Sequence, residues 1–200
     1  MMNRKTEILD LTLQLIREKG YVAMSYDDLS KKLGITKASI HYYFEKKEDL
    51  GVAITERVQQ SLQSFFLHIN NAALTVEEKM KQFMEKQIMM SGNGICPISS
   101  LQSDFVSLPE VIQHKVEEAS KLELKILVSI FSEKCPKGSS MLQSPQDIEL
   151  LAYTILSCIK GALQYKRTLS RDVLAQVMEQ IICLVKFKFN CSSELTNGFA

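Results

Sequence analysis

Three observations predict an all-α fold for this chain of 200 residues. Apolar residues recur at the helical period of about 3.6 along nearly the whole sequence, without sustained alternation. Hydroxyl and acidic residues stand where helices would begin, and glycines stand where they would end. Only four prolines and eight glycines are present, too few for a strand-and-turn architecture. About nine helices are expected. The first three are compact and form a head over residues 1–46, the rest form a larger helical body over 47–190, and 191–200 reads as a disordered tail.

Each element has a local reason. The first helix is expected over Arg4–Lys19, with Ile8, Leu9, Leu15 and Ile16 inward and Leu11 and Leu13 on its flanks. Gly20 ends it, as a C′ residue of positive φ. Ser25 is an N-cap with Asp28 at N3, and Gly34 closes the helix that follows. Thr36 caps a short third helix ending near Tyr43, and a long fourth helix runs from Lys47 to Asn70. Thr75 to Glu78 is a capping-box start for a helix reaching Met90.

The segment SGNGICP, 91–97, breaks the pattern. Pro97 then opens a short helix to Ser107, and Pro109 precedes a longer one to Lys134. Residues 134–145 are irregular. Ser144-Pro145-Gln146-Asp147 starts a helix to Lys166, and a last helix spans Ser170–Phe189.

Composition narrows the class. Hydrophobic residues make up 46% and charged residues 24%, an ordinary globular balance. The charged N-terminus MMNRKTEILD lacks the apolar core of a secretory signal. No apolar run approaches the roughly 20 residues needed to span a bilayer. Five cysteines without disulfide or CxxC spacing point to a reducing cytoplasm. No Gly-rich phosphate loop, HExxH or GxSxG motif is present. The three histidines, 41, 68 and 114, share no ligand spacing with the cysteines or acids. No catalytic residue, metal or cofactor is therefore expected.

Net charge is +1, and residues 1–50 carry nine Lys/Arg against eight Asp/Glu. Nucleic-acid binding by this segment therefore requires a local arrangement of charge rather than a bulk excess. The stretch YDDLSKKLGITKASIHYYFE, 26–45, provides one. Leu29, Leu33, Ile35, Ile40 and Tyr43 supply contacts between two short helices, with Ser30 small at their crossing and Gly34 at the turn. That is a helix-turn-helix with 36–43 as the recognition helix. Ile40, Tyr43 and Phe44 point inward, which leaves Thr36, Lys37, Ser39, His41 and Tyr42 facing outward to phosphates and base edges. Lys47 adds a cation beside the amides that open the fourth helix.

Residues 4–50, RKTEILDLTLQLIREKGYVAMSYDDLSKKLGITKASIHYYFEKKEDL, resemble the N-terminal pattern of the TetR family of bacterial transcriptional regulators. The resemblance implies DNA contacts at Ser25 and Tyr26 and, on the recognition helix, at Thr36, Lys37, Ala38, Ser39, His41 and Tyr42, with Lys47 following. Family members often carry Gly at Ala38, Tyr-His at His41-Tyr42 and Ser at Lys46, so the operator sequence does not transfer and the fourth helix lacks its usual N-cap. Residues 92–105 resemble a Gly-Cys segment of the family's ligand domains, and 145–168 its penultimate helix. What the resemblance implies is a homodimer that binds palindromic double-stranded operator DNA, with a body that binds a small effector.

Without the family, the last two helices already suggest association, because their apolar residues extend beyond one stripe. Leu156, Ser157, Gly161, Ala162, Val177, Ile181 and Leu184 are the expected interface. Phe65, Phe83, Met84, Met89, Cys96, Phe105 and Tyr153 are candidates to line an effector pocket. No Arg/Lys cluster in the body points to a strongly anionic effector, so a hydrophobic or weakly polar one is expected. Cys96, directly before Pro97, is also a candidate redox or electrophile sensor, since a helix N-terminus favours thiolate. Two alternatives to a ligand-released repressor stay open: a thiol-based regulator acting through Cys96, and a helical interaction protein with a degenerate head.

Overall fold

The computed structural model describes residues 3–133, 144–169 and 173–190. The tail expected at 191–200 lies outside the described residues, as do 134–143 of the irregular stretch expected at 134–145, whose last two residues, Ser144 and Pro145, open α8. Among the described residues there are nine α-helices, one 3-10 turn and no strand. The helices are α1 (Arg4–Lys19), α2 (Tyr26–Leu33), α3 (Lys37–Tyr43), α4 (Lys47–Asn71), α5 (Val76–Ser91), α6 (Pro97–Ser103), α7 (Glu110–Ser132), α8 (Pro145–Thr168) and α9 (Leu174–Asn190). Phe105–Ser107 form the 3-10 turn, so the helix expected from Pro97 to Ser107 is interrupted at Asp104.

The helix starts follow the cap chemistry. Ser25 accepts from the Asp28 amide while the Asp28 carboxylate accepts from the Ser25 amide, a complete capping box, and Ser144 with Asp147 repeats it at α8. At α5 the Thr75 and Glu78 side chains do the same. The fourth helix, expected to start loosely at Lys46, is fastened instead by Asp49, whose Oδ2 accepts from the Lys46 amide at 2.8 Å. Gly34 has φ 64° and ψ 33°, the left-handed conformation that L side chains resist. Its position lets the chain reverse between α2 and α3.

The chain forms two compact units. The first comprises residues 1–64 and 90–122, the second 65–89 and 123–200. In the first, Ile8, Leu15 and Ile16 of α1 share one core with Leu29, Ile40 and Phe44, with Leu50 and Ile54 of α4, Leu101 of α6 and Ile112 and Val116 of α7. The three N-terminal helices therefore do not close their core alone. Thr12 is also fully buried, and its hydroxyl donates to the Ile8 carbonyl at 2.7 Å, which lets a polar residue sit on the inner face of α1.

Helix α6 is tied to α1 by polar contacts as well. Ser100 donates its hydroxyl to the Ile16 carbonyl at 2.7 Å, and the Ile95 amide donates to the Arg17 carbonyl at 3.3 Å. In the second unit the buried residues include Met80, Phe83 and Met84 of α5, Ile126, Ile130 and Phe131 of α7, Ile155 and Ile159 of α8, and Ile181 and Val185 of α9. Helices α8 and α9 pack against each other there.

Candidate nucleic-acid interface

The outer face of α3 is built by subtraction. Ile40 and Phe44 are buried and fix the helix on α1 and α2, and the Tyr26 hydroxyl donates to the Phe44 carbonyl at 2.9 Å, locking the end of α3. What remains outside is Thr36, Lys37, Ala38, His41 and Tyr42, all exposed, with Ser39 half-buried. Tyr42 is 83% exposed, which no packing role explains, and its ring meets Tyr43 edge-on at 5.0 Å. An aromatic hydroxyl held this way reaches a phosphate with little rotamer entropy to lose.

The other expected contacts have local partners. Thr36 is the N-cap of α3, accepting from the Ser39 amide, and the Ser25 hydroxyl belongs to the capping box of α2. His41 holds its Nδ1 at 2.9 Å from the Glu45 carbonyl and its ring edge-on to Tyr26 at 4.8 Å, which leaves Nε2 to reach outward. Lys37 pairs with Asp27 at 2.7 Å, both half-exposed. An exposed pair of this kind is worth about 0–1 kcal/mol, so exchanging Asp27 for a phosphate is inexpensive.

Lys47 is placed differently from a free phosphate contact. Its ammonium donates to the Val22 carbonyl at 3.0 Å and lies 4.6 Å from the Tyr21 ring centroid, and burial lowers its pKa from the ordinary value. The Val22 amide in turn donates to Asp104 Oδ2 at 3.0 Å. One residue of the α1–α2 connection, Val22, is thus held through its carbonyl by the start of α4 and through its amide by the end of α6. Sequence spacing gives no signal for this clamp, because Asp104 lies 82 residues from Val22.

Of the residues expected to line an effector pocket, Phe65, Phe83, Met84, Met89 and Tyr153 belong to the second unit, and Cys96 and Phe105 to the first. Phe65 and Phe83 meet with ring centroids 6.3 Å apart, and Met84 is buried. Met89 and Tyr153 are exposed, because each lies off the buried stripe of its helix, marked by Phe83 and Met90 on α5 and by Ala152 and Ile155 on α8. Cys96 is buried at the N-cap of α6 without a side-chain cap bond. Of the expected interface, Leu156, Ala162 and Ile181 are buried within the second unit, Gly161, Val177 and Leu184 are half-buried, and Ser157 is exposed.

Residues not singled out from the sequence stand out in the second unit. Glu123 of α7 is 0% exposed; its Oε1 accepts from Gln87 Nε2 of α5 at 2.9 Å and its Oε2 from Lys160 Nζ of α8 at 2.6 Å. Burying such a pair costs several kcal/mol per ion before the mutual attraction is counted. A signal was available. Glu123 occupies a core register between Ala119 and Ile126, and Gln87 one between Phe83 and Met90. Among the described residues no group of three His, Cys, Asp or Glu is placed to hold a metal, and no helix is long and apolar enough to cross a membrane.

Comparison with known proteins agrees with this geometry. Residues 8–54 match the family described as bacterial regulatory proteins, tetR family. A biofilm operon icaADBC HTH-type negative transcriptional regulator, IcaR, of Staphylococcus aureus is 32% identical over 75 residues, a stretch that covers 38% of this chain and only 37% of that protein. A TetR transcriptional regulator from Legionella pneumophila superposes with a TM-score of 0.82 at 28% identity, over 92% of this chain and 97% of the other. FadR from Bacillus subtilis, in complex with stearoyl-CoA, shares the fold with a TM-score of 0.64 at 21% identity, over 91% and 97% of the two chains. The helix-turn-helix head, the all-helical architecture and these matches lead to one assignment: residues 8–54 carry the DNA-binding segment of the TetR family of bacterial regulatory proteins, and the chain as a whole has the fold of that family's regulators.

Proposed function

We propose that this protein is a ligand-responsive transcriptional regulator acting as a repressor, which binds a palindromic operator as a homodimer through the head of residues 1–46 and is released by a small effector bound in the body of residues 47–190. The carrying observation is the outer face of α3, where Thr36, Lys37, His41 and Tyr42 are exposed while Ile40 and Phe44 anchor the helix from beneath. A recognition helix needs that division: one face consumed by the core, the other furnished with donors for base edges and phosphates.

Dimerisation through α8 and α9 is supported by what those helices leave outside. Leu150, Tyr153 and Tyr165 of α8, Leu169 at its C-cap and Phe187 of α9 are exposed, and on α8 they flank Ser157 and Gly161 in sequence. Large apolar groups concentrated on one helix pair mark an association surface. Two heads about one to two DNA turns apart then match the half-sites of a palindrome. The effector reading takes support from the aromatic pair Phe65–Phe83, which suits an apolar body, and from Gln87, Glu123 and Lys160, which suit a polar head. FadR, with its bound stearoyl-CoA, is a precedent for a ligand of that build on this fold.

Release requires that the effector bind the non-operator conformation more tightly. A coupling of about 1–3 kcal/mol, about 5- to 150-fold, is typical. The route we favour runs along α4 and α6 to the Val22 backbone, which Lys47 and Asp104 clamp.

The test uses purified protein and its operator at several salt concentrations. Replacing Tyr42 and Lys37 by alanine is expected to weaken binding to all sequences and to lower the log–log salt slope by about 1 for each phosphate that is no longer bound. An unchanged affinity and slope in the double variant would remove α3 from the interface, and unchanged cellular function in it would favour the interaction-protein reading.

A further inference from the structure

A cleft of about 560 Å³ opens within the first unit, between α1, α4 and the turn Gly92–Asn93–Gly94 that follows α5. Its cations are Arg17 of α1 and Arg57 of α4, and its anions Asp10 and Glu18. The charges are unevenly matched. Arg57 pairs with Asp10 at 2.5 Å, and Glu18 is engaged at the rim by Lys32 and Gln14. Arg17, by contrast, takes part in no ion pair among the described residues, and its Nε is buried without a hydrogen-bond partner. Arg17 is half-buried, and a donor such as its Nε that is cut off from water without an acceptor costs free energy that its surroundings do not return.

Backbone geometry keeps Arg17 at this wall. A Cβ on Gly94 would fall 2.5 Å from the Arg17 carbonyl oxygen, so only glycine lets the turn lie on α1 there, and the Ile95 amide fastens it by donating to that same carbonyl. Gly92, with φ 55°, passes beside the guanidinium: a Cβ there would lie 3.5 Å from Arg17 Nη1. The helix, the glycine turn and the second arginine thus form a fixed frame around an unneutralised cation.

We propose that this cleft binds a phosphate-type oxyanion carried on a small molecule, with Arg17 and Arg57 as its two guanidinium clamps. Two forks on adjacent helices suit bidentate recognition of such a group. The volume exceeds a bare phosphate and falls within the range of small-molecule sites, about 300–1,000 Å³, which leaves room for the rest of the ligand. Asp10 is the internal competitor, holding Arg57 until the anion arrives. The mutual proximity of the arginines agrees with this: burial lowers the pKa of Arg17, the Cys96 thiol opposes that shift, and the charge of Arg57 adds to it. Occupation would tie α1 to α4 inside the unit that carries α3. The site does not depend on the effector reading, since all its residues lie in the first unit.

Inorganic pyrophosphate is the probe, titrated calorimetrically into the full chain at constant ionic strength. Saturable binding with a Kd of about 1 mM or tighter is expected. Arg17→Gln and Arg57→Gln should each weaken it at least about tenfold, the worth of one charge-assisted hydrogen bond. Asp10→Asn should tighten it several-fold by freeing Arg57, an increase that a folding defect does not mimic. Lys121→Gln, an exposed lysine paired only with Glu117, should leave it unchanged. Absence of saturable binding, binding that survives Arg17→Gln, or an affinity unmoved by Asp10→Asn would each overturn the proposal.

Discussion

Tyr21 and Tyr26 illustrate how single residues connect the head to its supports. The Tyr21 hydroxyl donates to the Lys47 carbonyl at 3.0 Å, and the Tyr26 hydroxyl to the Phe44 carbonyl. Burial, reinforced for Tyr21 by Glu48 and for Tyr26 by Asp49, pushes both phenols up to about 12. In the unfolded chain they ionise near the ordinary value of about 10. Between those values the folded state retains protons that the unfolded state has released, so stability falls as pH rises through that window. Urea unfolding from about pH 9 to about pH 11.5 should show a declining midpoint, and Tyr21→Phe should flatten part of the decline. An identical slope in the variant would mean that Tyr21 does not contribute. Residues of this kind are only half legible in the sequence. That Phe44 and Ile40 face inward follows from spacing, whereas the direction of the Lys47 ammonium depends on Val22 and Tyr21, neither of which its own helix reveals.

At the scale of elements, helix starts are the most legible feature, because a cap is a local interaction between residues three apart. Ser25 with Asp28, Thr75 with Glu78 and Ser144 with Asp147 all form as spacing predicts. Lys46 shows the limit. Its side chain cannot cap α4, yet Asp49, already visible in the sequence, supplies the carboxylate from the other end of the box. Packing between distant elements is not legible. Gly51 lies inside α4, where propensity alone favours alanine by about 1 kcal/mol. A Cβ there would fall 2.4 Å from Ile112 Cδ1 and 2.8 Å from Tyr21 Cε2. Both neighbours are buried, and the Tyr21 ring is held by its hydroxyl, so overpacking of about 1–3 kcal/mol should outweigh the propensity term. Gly51→Ala is therefore expected to lower the urea midpoint; a raised midpoint would show that α4 and α7 yield more easily than this close approach implies.

For the molecule as a whole, the sequence shows its helices, their order and which face of α3 stays exposed, because each rests on period, caps and short motifs. It does not show how polar groups from different helices are brought together. Glu123, Gln87 and Lys160 come from three helices, and Arg17 with Arg57 from two others. Period alone reads such residues one helix at a time, so their convergence appears only when the helices are packed. The choice of surface at α8 and α9 is obscured for a related reason. A helix apolar around much of its circumference does not announce which face its own core will take, and Leu156, Ala162 and Ile181 turn inward.

Whether the exposed face of α3 reads a specific operator is decided by selecting genomic DNA fragments on the purified protein at physiological salt and sequencing them. The expected result is enrichment of a palindrome whose half-sites are centred about one to two helical turns apart. Diffuse retention without an enriched sequence, declining steeply with salt alone, would contradict it.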